Sequence, residues 1–385
     1  MPPLTYPLPG ATGSMENRPY LSVVTVSRND DHGGNLLGRM GFFVGGLADQ
    51  CLRHGLECEL IVVEWNPPPD RPRLAEALRW PQEGTPCQAR VVTVPPEIHA
   101  RFLHSDRLPL FQMIAKNAGI RRARGQFILA TNIDNLFSEE LMEHLARRSL
   151  VSGKFYRVDR YDVPSDVPAD AVPAERLAWC ADHAFRVARR NGLYVRTGPG
   201  PGAPFKRAAL RHPGMVWARM REMAVAESGP AVWRYTRSAA LIAVKVGQKL
   251  GILRAATPLH TNASGDFTLL ARDDWWALRG YPEFQLYSWH IDGVFLYHAS
   301  RRGLAEVAWE PPLCIYHMEH GEGSGWTPEG HKTLFEGLRR RGVPYLSDAD
   351  LEAVIRCLRA GPADITFNGS DWGLAGDDLE EIRPH

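Results

Sequence analysis

Several features are missing from these 385 residues, and each absence excludes something. No apolar run reaches the roughly 18–20 residues that a membrane span needs. The first residues, MPPLTYPLPGATGSMENRP, hold no apolar signal core, and the Pro/Gly-rich composition reads as a disordered leader over 1–18. There is no excess of charge of either sign: 45 Lys+Arg stand against 44 Asp+Glu, a net +1, which gives no reason to expect a nucleic-acid partner. The six cysteines form no CxxC pair and no zinc-type spacing. Scattered cysteines suit a reducing compartment, so the expected location is the cytoplasm. There is no internal repeat. The first polar turn, Ser27 to Asp31, contains no glycine, which removes the Gly-rich phosphate loop that a nucleotidyltransferase places after its first strand.

What is present is an alternation of short buried runs and amphipathic stretches. YLSVVTV (Tyr20–Val26), LIVVE (Leu60–Glu64), ARVVTV (Ala89–Val94) and FILA (Phe127–Ala130) read as strands buried on both faces of a parallel sheet. Between them, Asn35–His54, Leu74–Trp80 and Pro109–Ala123 read as helices, and Ser138 is placed to cap another, with Glu139 and Glu140 in its first turn. This order predicts an α/β fold with a mixed, mostly parallel sheet flanked by helices. Ligands of such sheets bind past the carboxyl ends of the strands, which directs attention to Ser27–Asp31, Glu64–Asn66 and Asn132–Asp134.

Periodicity fades after Tyr161. Pro164, Pro168 and Pro173 interrupt the chain, and TGPGPGAP (Thr197–Pro204) is a loop by composition. Between Phe205 and Arg254, ten Lys or Arg stand against two Glu. On a helical wheel over Val232–Leu250, Arg234, Arg237, Lys245 and Lys249 share one face opposite an apolar, tryptophan-containing side. Such a helix either contacts an anionic membrane peripherally or presents a solvated charged face. Strand-like and aromatic text returns at Phe267–Leu270, a helix follows at Gly293–Arg302, a strand at Leu313–Tyr316, and the tail reads as two helices and a polar extension. The segments are therefore 1–18, 19–160, a basic helical insertion at 161–256, 257–329, and a helical tail at 330–385.

Two stretches carry chemistry. IAKNAGIRRARGQFILATNIDN (Ile114–Asn135) resembles family-2 glycosyltransferases at Lys116, Asn117, Gly119, Ala123, Gly125 and Asp134. GDFTLLARDDWWALRGYPEFQLYSWHIDGVF (Gly265–Phe295) is similar to the C-terminal half of galactosyltransferase-type GT-A enzymes at Gly265, Phe267, Arg272, Asp274, Gly280, Tyr281, Glu283, Phe284 and Asp292. The resemblance implies a Rossmann-like GT-A fold, a nucleotide-sugar donor linked to UDP or GDP, and a glycan or lipid-linked acceptor. It also implies a Mn2+ or Mg2+ ion held by Asp134. Where the family shows Asp-x-Asp this chain has Asn132-Ile133-Asp134, a carboxamide oxygen in place of one carboxylate. Asp292 then stands as general base at the start of a helix, unless it only caps that helix. His317 and His320, just past an apolar run and before a Gly-rich stretch, are placed to complete the ion's shell. Ser27, Arg28, Asn29, Glu64, Lys116, Asn117 and Asn132 are the expected donor-binding residues. Trp65 either stacks on the base or packs. A catalytically silent sugar-nucleotide-binding module on the same fold is the alternative.

Overall fold

The computed structural model describes residues 18–198, 200–208, 258–320 and 328–384. The leader up to residue 17, the basic stretch over 232–250 and the Gly-rich residues 321–325 lie outside the described residues, and with them the expectation of membrane contact. No described helix is long and apolar enough to cross a membrane.

The amino-terminal half alternates β1 (Leu21–Ser27), α1 (Leu36–His54), β2 (Cys58–Trp65), α2 (Leu74–Ala77), β3 (Cys87–Val94), α3 (Pro96–His99), α4 (Gln112–Arg122) and β4 (Phe127–Thr131). Then come β5 (Asn135–Phe137), α5 (Glu139–Ala146), β6 (Lys154–Arg157), β7 (Asp159–Val163), α6 (Pro173–His183), β8 (Arg186–Arg189), β9 (Gly192–Arg196) and β10 (Phe205–Arg207). The remainder holds β11 (Phe267–Ala271), α7 (Arg272–Leu278), α8 (Ile291–Arg301), β12 (Ala305–Ala308), β13 (Cys314–Met318), α9 (Pro328–Arg340), α10 (Asp348–Ala360) and β14 (Glu381–Ile382).

The main sheet has the order β12-β6-β11-β4-β1-β2-β3-β14. Strands β3, β2, β1 and β4 are mutually parallel, and β11 enters antiparallel beside β4. This is the mixed, mostly parallel sheet that the strand-helix alternation predicts. Helix α1 covers one face with Met40, Phe43, Val44 and Leu47, and α4 covers the other with Ile114, Ala115 and Ala118. Two glycines permit the close approach of α4 and its turn. A Cβ on Gly119 would sit 2.5 Å from Val24 Cγ1, and one on Gly125 would sit 2.5 Å from the Ser22 amide nitrogen. Ser138 caps α5 as its position predicts, accepting from the Leu141 amide at 3.3 Å.

Two segments differ from expectation. The described part of 161–256 holds α6 together with strands that the sequence did not announce: β7, β8, β9 and β10 join β13 and β5 in a second sheet of order β10-β9-β8-β7-β13-β5. β7 lies between the nearby β8 and β13, and β13 comes some 150 residues later, so local periodicity carries no trace of that second pairing. The polar end of the tail is also structured. Arg122 donates to the carbonyls of Gly373, Leu374 and Asp377, Trp372 is buried, and β14 pairs with β3 and covers the sheet edge.

Candidate metal and donor site

Strand pairing assembles the site. Asp134 occupies the turn between β4 and β5, and its carbonyl accepts from the Met318 amide at 3.0 Å. Because β5 pairs antiparallel with β13, with His317 opposite Asn135, His317 is brought beside Asp134. The Asp134 Oδ2 lies 3.0 Å from His320 Nε2 and 3.8 Å from His317 Nε2. One ligand atom from each of the three residues fits within a 4.8 Å span. Asp134 is 6% exposed, and its Oδ1 is buried without a hydrogen-bond partner among the described residues. A buried carboxylate oxygen with no donor is costly unless something else satisfies it. Burial alone would raise the Asp134 carboxyl, but His317, His320 and Arg39 outweigh it and hold the group well below the usual carboxylate range.

His317 is itself oriented. Its Nδ1 lies 2.9 Å from Asp162 Oδ1, which leaves Nε2 facing Asp134. Asp162 is fully buried and paired with Arg160 at 3.0 Å and Arg186 at 2.6 Å. Against the effect of burial, these cations and His317 keep Asp162 ionised far below its ordinary range. The arrangement carboxylate–imidazole–open side is the one that fixes a metal-binding histidine's tautomer. The loop after β1 forms the other wall. Gly33 is left-handed (φ 73°), and a Cβ there would meet His320 Nδ1 at 2.4 Å. Arg39 holds this loop through the carbonyls of His32 and Gly34. The ring of exposed His32 lies 5.7 Å from that of His320.

Asn132 does not offer its oxygen to this cluster, contrary to the expectation of an oxygen ligand in place of the missing aspartate. Its Oδ1 accepts from Lys116 Nζ at 2.8 Å and Gln112 Nε2 at 2.9 Å, and its Nδ2 donates to Asp266 Oδ1 at 2.6 Å. A carboxamide suits a position with donors on one side and a carboxylate on the other. Asp266 also pairs with Arg160 at 2.6 Å. Lys116 is fully buried and donates to the Gly265 carbonyl at 2.6 Å. Burial pushes it down to about 8, with Asp266, Asp292 and Asp134 opposing. Restoring a carboxylate at 132 would set it against Asp266. Asn132→Asp is therefore expected to lower the thermal midpoint, at a cost on the order of 1–3 kcal/mol. It should not tighten Mn2+ binding. An unchanged midpoint with tighter Mn2+ binding in calorimetry would refute this reading.

The other expected donor residues divide. Ser27 ends β1 and Arg28 and Asn29 follow it, where Arg28 donates to the Asn66 carbonyl at 2.7 Å and Asn29 to the Pro72 carbonyl at 2.9 Å. Ser27 Oγ lies 3.3 Å from Met40 Sδ. Glu64 is fully buried, with Oε2 on Arg73 at 2.6 Å and Oε1 accepting from the Leu74 amide at 2.8 Å. Both of its oxygens serve the 66–74 loop, so Glu64 anchors the segment that borders the expected donor site. Asn117 is likewise a clamp: its amide nitrogen donates to the Tyr281 carbonyl and Glu283, and its oxygen accepts from the Tyr281 amide at 2.8 Å. Trp65 packs, with Nε1 2.9 Å from His99 Nδ1 and no exposure.

Asp292 sits in the first turn of α8, half-buried. The cap position belongs to His290, in left-handed conformation (φ 67°). Asp292 Oδ1 accepts from the adjacent Gly293 amide, and Oδ2 lies 2.7 Å from the hydroxyl of buried Ser264. Ser264 precedes Gly265 and Asp266, so Asp292 satisfies one first-turn amide of α8 and turns its other oxygen toward the Lys116–Asn132–Asp266 network.

No protein-family model and no curated protein matches the chain. Similar solved structures include the mannosyltransferase PcManGT from Pyrobaculum calidifontis in complex with GDP-Man and Mn2+, at 10% identity and a TM-score of 0.40, over 90% of this chain and 76% of that one. Another is GalNAc-T7 with UDP, GalNAc and Mn2+, at 12% identity and a TM-score of 0.39, over 91% of this chain. The chain covers 56% of that protein's length.

Asp162, Asp266, Arg39 and Ser264 were missed in the sequence. Asp266 stands inside the Gly265-x-Phe267 pattern as its unassigned residue. Asp162 offered a weaker signal, an Arg160-x-Asp162 alternation that puts both side chains on one face of a strand.

Proposed function

We propose that the chain is a GT-A-type glycosyltransferase whose cation is held by Asp134, His317 and His320. The observation that carries this reading is the Asp134–His317–His320 cluster at the strand ends, with Asp162 fixing His317 and an unpartnered Asp134 oxygen inside it. A carboxylate with two imidazoles fits a divalent ion that leaves positions open for phosphate oxygens, and imidazole favours Mn2+ over Mg2+. When bound, that ion stabilises the charge growing on a departing nucleoside diphosphate.

The chain's own residues supply the rest. Arg39 adds positive charge beside Asp134. Asp292 takes the proton of the acceptor hydroxyl as that oxygen bonds to the anomeric carbon and the bond to the diphosphate breaks. A base on the face opposite the leaving group gives inversion. The donor is a UDP- or GDP-linked sugar and the acceptor a glycan or lipid-linked hydroxyl.

A thermal-shift panel of UDP- and GDP-sugars, with and without Mn2+, tests the donor site, because a ligand that binds only the folded state raises apparent stability. One donor should stabilise the protein only when Mn2+ is present. No stabilisation by any nucleotide sugar would sink the reading. Mn2+-dependent release of free sugar from the bound donor separates the enzyme from a silent binding module. Asp162→Asn should weaken Mn2+ binding about 10–100-fold, the usual cost of losing a histidine's outer partner. Mn2+ affinity equal to wild type in the folded variant would show that His317 needs no such orientation.

A further inference from the structure

Three of the six cysteines converge far from that site. Cys51 lies in the last turn of α1, where left-handed Gly55 (φ 63°) ends the helix and the Leu56 amide donates back to the Cys51 carbonyl at 3.0 Å. This reversal brings the chain under Cys51 as it enters β2. Cys58 and Cys87 open β2 and β3 directly opposite one another in parallel register, so their side chains share the face that α1 covers. One sulfur from each fits within a 4.8 Å span. The residues are 0%, 1% and 0% exposed, among Leu47, Leu56, Leu60 and Ala89. What perturbs each thiol is first the other two thiols and then burial.

That setting discriminates between ions by charge. Thiolates are soft ligands and bind after losing their protons. A divalent ion on three thiolates keeps a net negative charge and seeks a fourth ligand, and burying that charge in an apolar core is costly. A trivalent thiophile such as arsenite needs neither. Three thiols displace its three hydroxyl groups, three water molecules leave, no atom changes oxidation state, and the product is neutral with three sulfur ligands. We infer that Cys51, Cys58 and Cys87 form a site for a trivalent thiophilic ion of the arsenite or antimonite class, which cross-links α1 to β2 and β3. The site lies at the amino ends of β2 and β3, and Asp134 lies past the carboxyl end of β4, so occupancy leaves the Mn2+ cluster untouched. The inference does not depend on the proposed transferase activity.

The test uses the full, reduced chain with arsenite alone. Native mass spectrometry should show one arsenic gained and three protons lost per chain, together with a raised thermal midpoint and unchanged Mn2+ affinity. Cys58→Ala and Cys87→Ala, each checked for folding by circular dichroism, should lose both the mass gain and the stabilisation, whereas Cys180→Ala should keep them. Cadmium ion should give no comparable stabilisation. The inference is overturned if the folded protein gains no arsenic, if either alanine variant binds it as the wild type does, or if cadmium stabilises equally.

Discussion

Asp134→Asn is expected to abolish sugar transfer and to remove the Mn2+ dependence of donor binding, while the fold survives. The asparagine keeps the volume of a residue that is only 6% exposed, which makes it a cleaner probe than alanine. It removes the negative charge that faces His317, His320 and Arg39. Two imidazoles without a carboxylate form a poor Mn2+ site, so the loss of affinity should exceed the ~10–100-fold caused by losing an outer partner. The variant also takes away a carboxylate that faces the buried Arg39 and the two histidines, although Asp31 still faces Arg39 and Asp162 still pairs with His317. A lower thermal midpoint should therefore accompany the lost activity. Mn2+ titration followed by the signal of the free ion measures the first effect, and circular dichroism the second. Wild-type Mn2+ affinity in a folded Asp134→Asn protein would remove the cation from this cluster.

The elements that sequence reading captured are those with a local cause. β1, β2 and β3 announce themselves as uninterrupted runs because both of their faces are covered, and Ser138 caps α5 through a bond three residues away. Asp134 was legible because a strand end is a position that sequence defines. The placement of His317 near it follows from the β5–β13 pairing, which spans some 180 residues and which no periodicity reports. For the same reason Asp162 gave only a weak signal: it lies at the edge of a proline-interrupted stretch and becomes a histidine anchor only when β7 meets β13. Glu64 and Asn117 show what a sequence leaves open. A carboxylate and a carboxamide near a strand end or on a helix suit a ligand and a loop clamp equally, and only the structure displays the clamping hydrogen bonds. For Asn117 there was one physical hint, since asparagine is unfavourable inside a helix unless its side chain is engaged elsewhere.

Asp292→Asn separates chemistry from binding. The substitution keeps the shape of the side chain and its hydrogen-bonding capacity toward Ser264, and removes the carboxylate proposed as the general base. Because His290 rather than Asp292 occupies the cap of α8, the helix should tolerate the change, and the thermal midpoint should stay near wild type. General-base catalysis contributes about 10²–10⁴-fold, so the transfer rate should fall by that order. Donor affinity in the presence of Mn2+ should hold, since the Asp134 cluster is untouched. A rate loss confined to kcat is what removal of an interaction made only in the transition state produces. A purely structural Asp292 would give the reverse: activity retained, or activity and stability lost together. The product's anomeric configuration completes the test, because a base opposite the leaving diphosphate requires inversion. Retention of the donor's configuration would overturn the role of Asp292 as the base for a single displacement, even with the variant inactive.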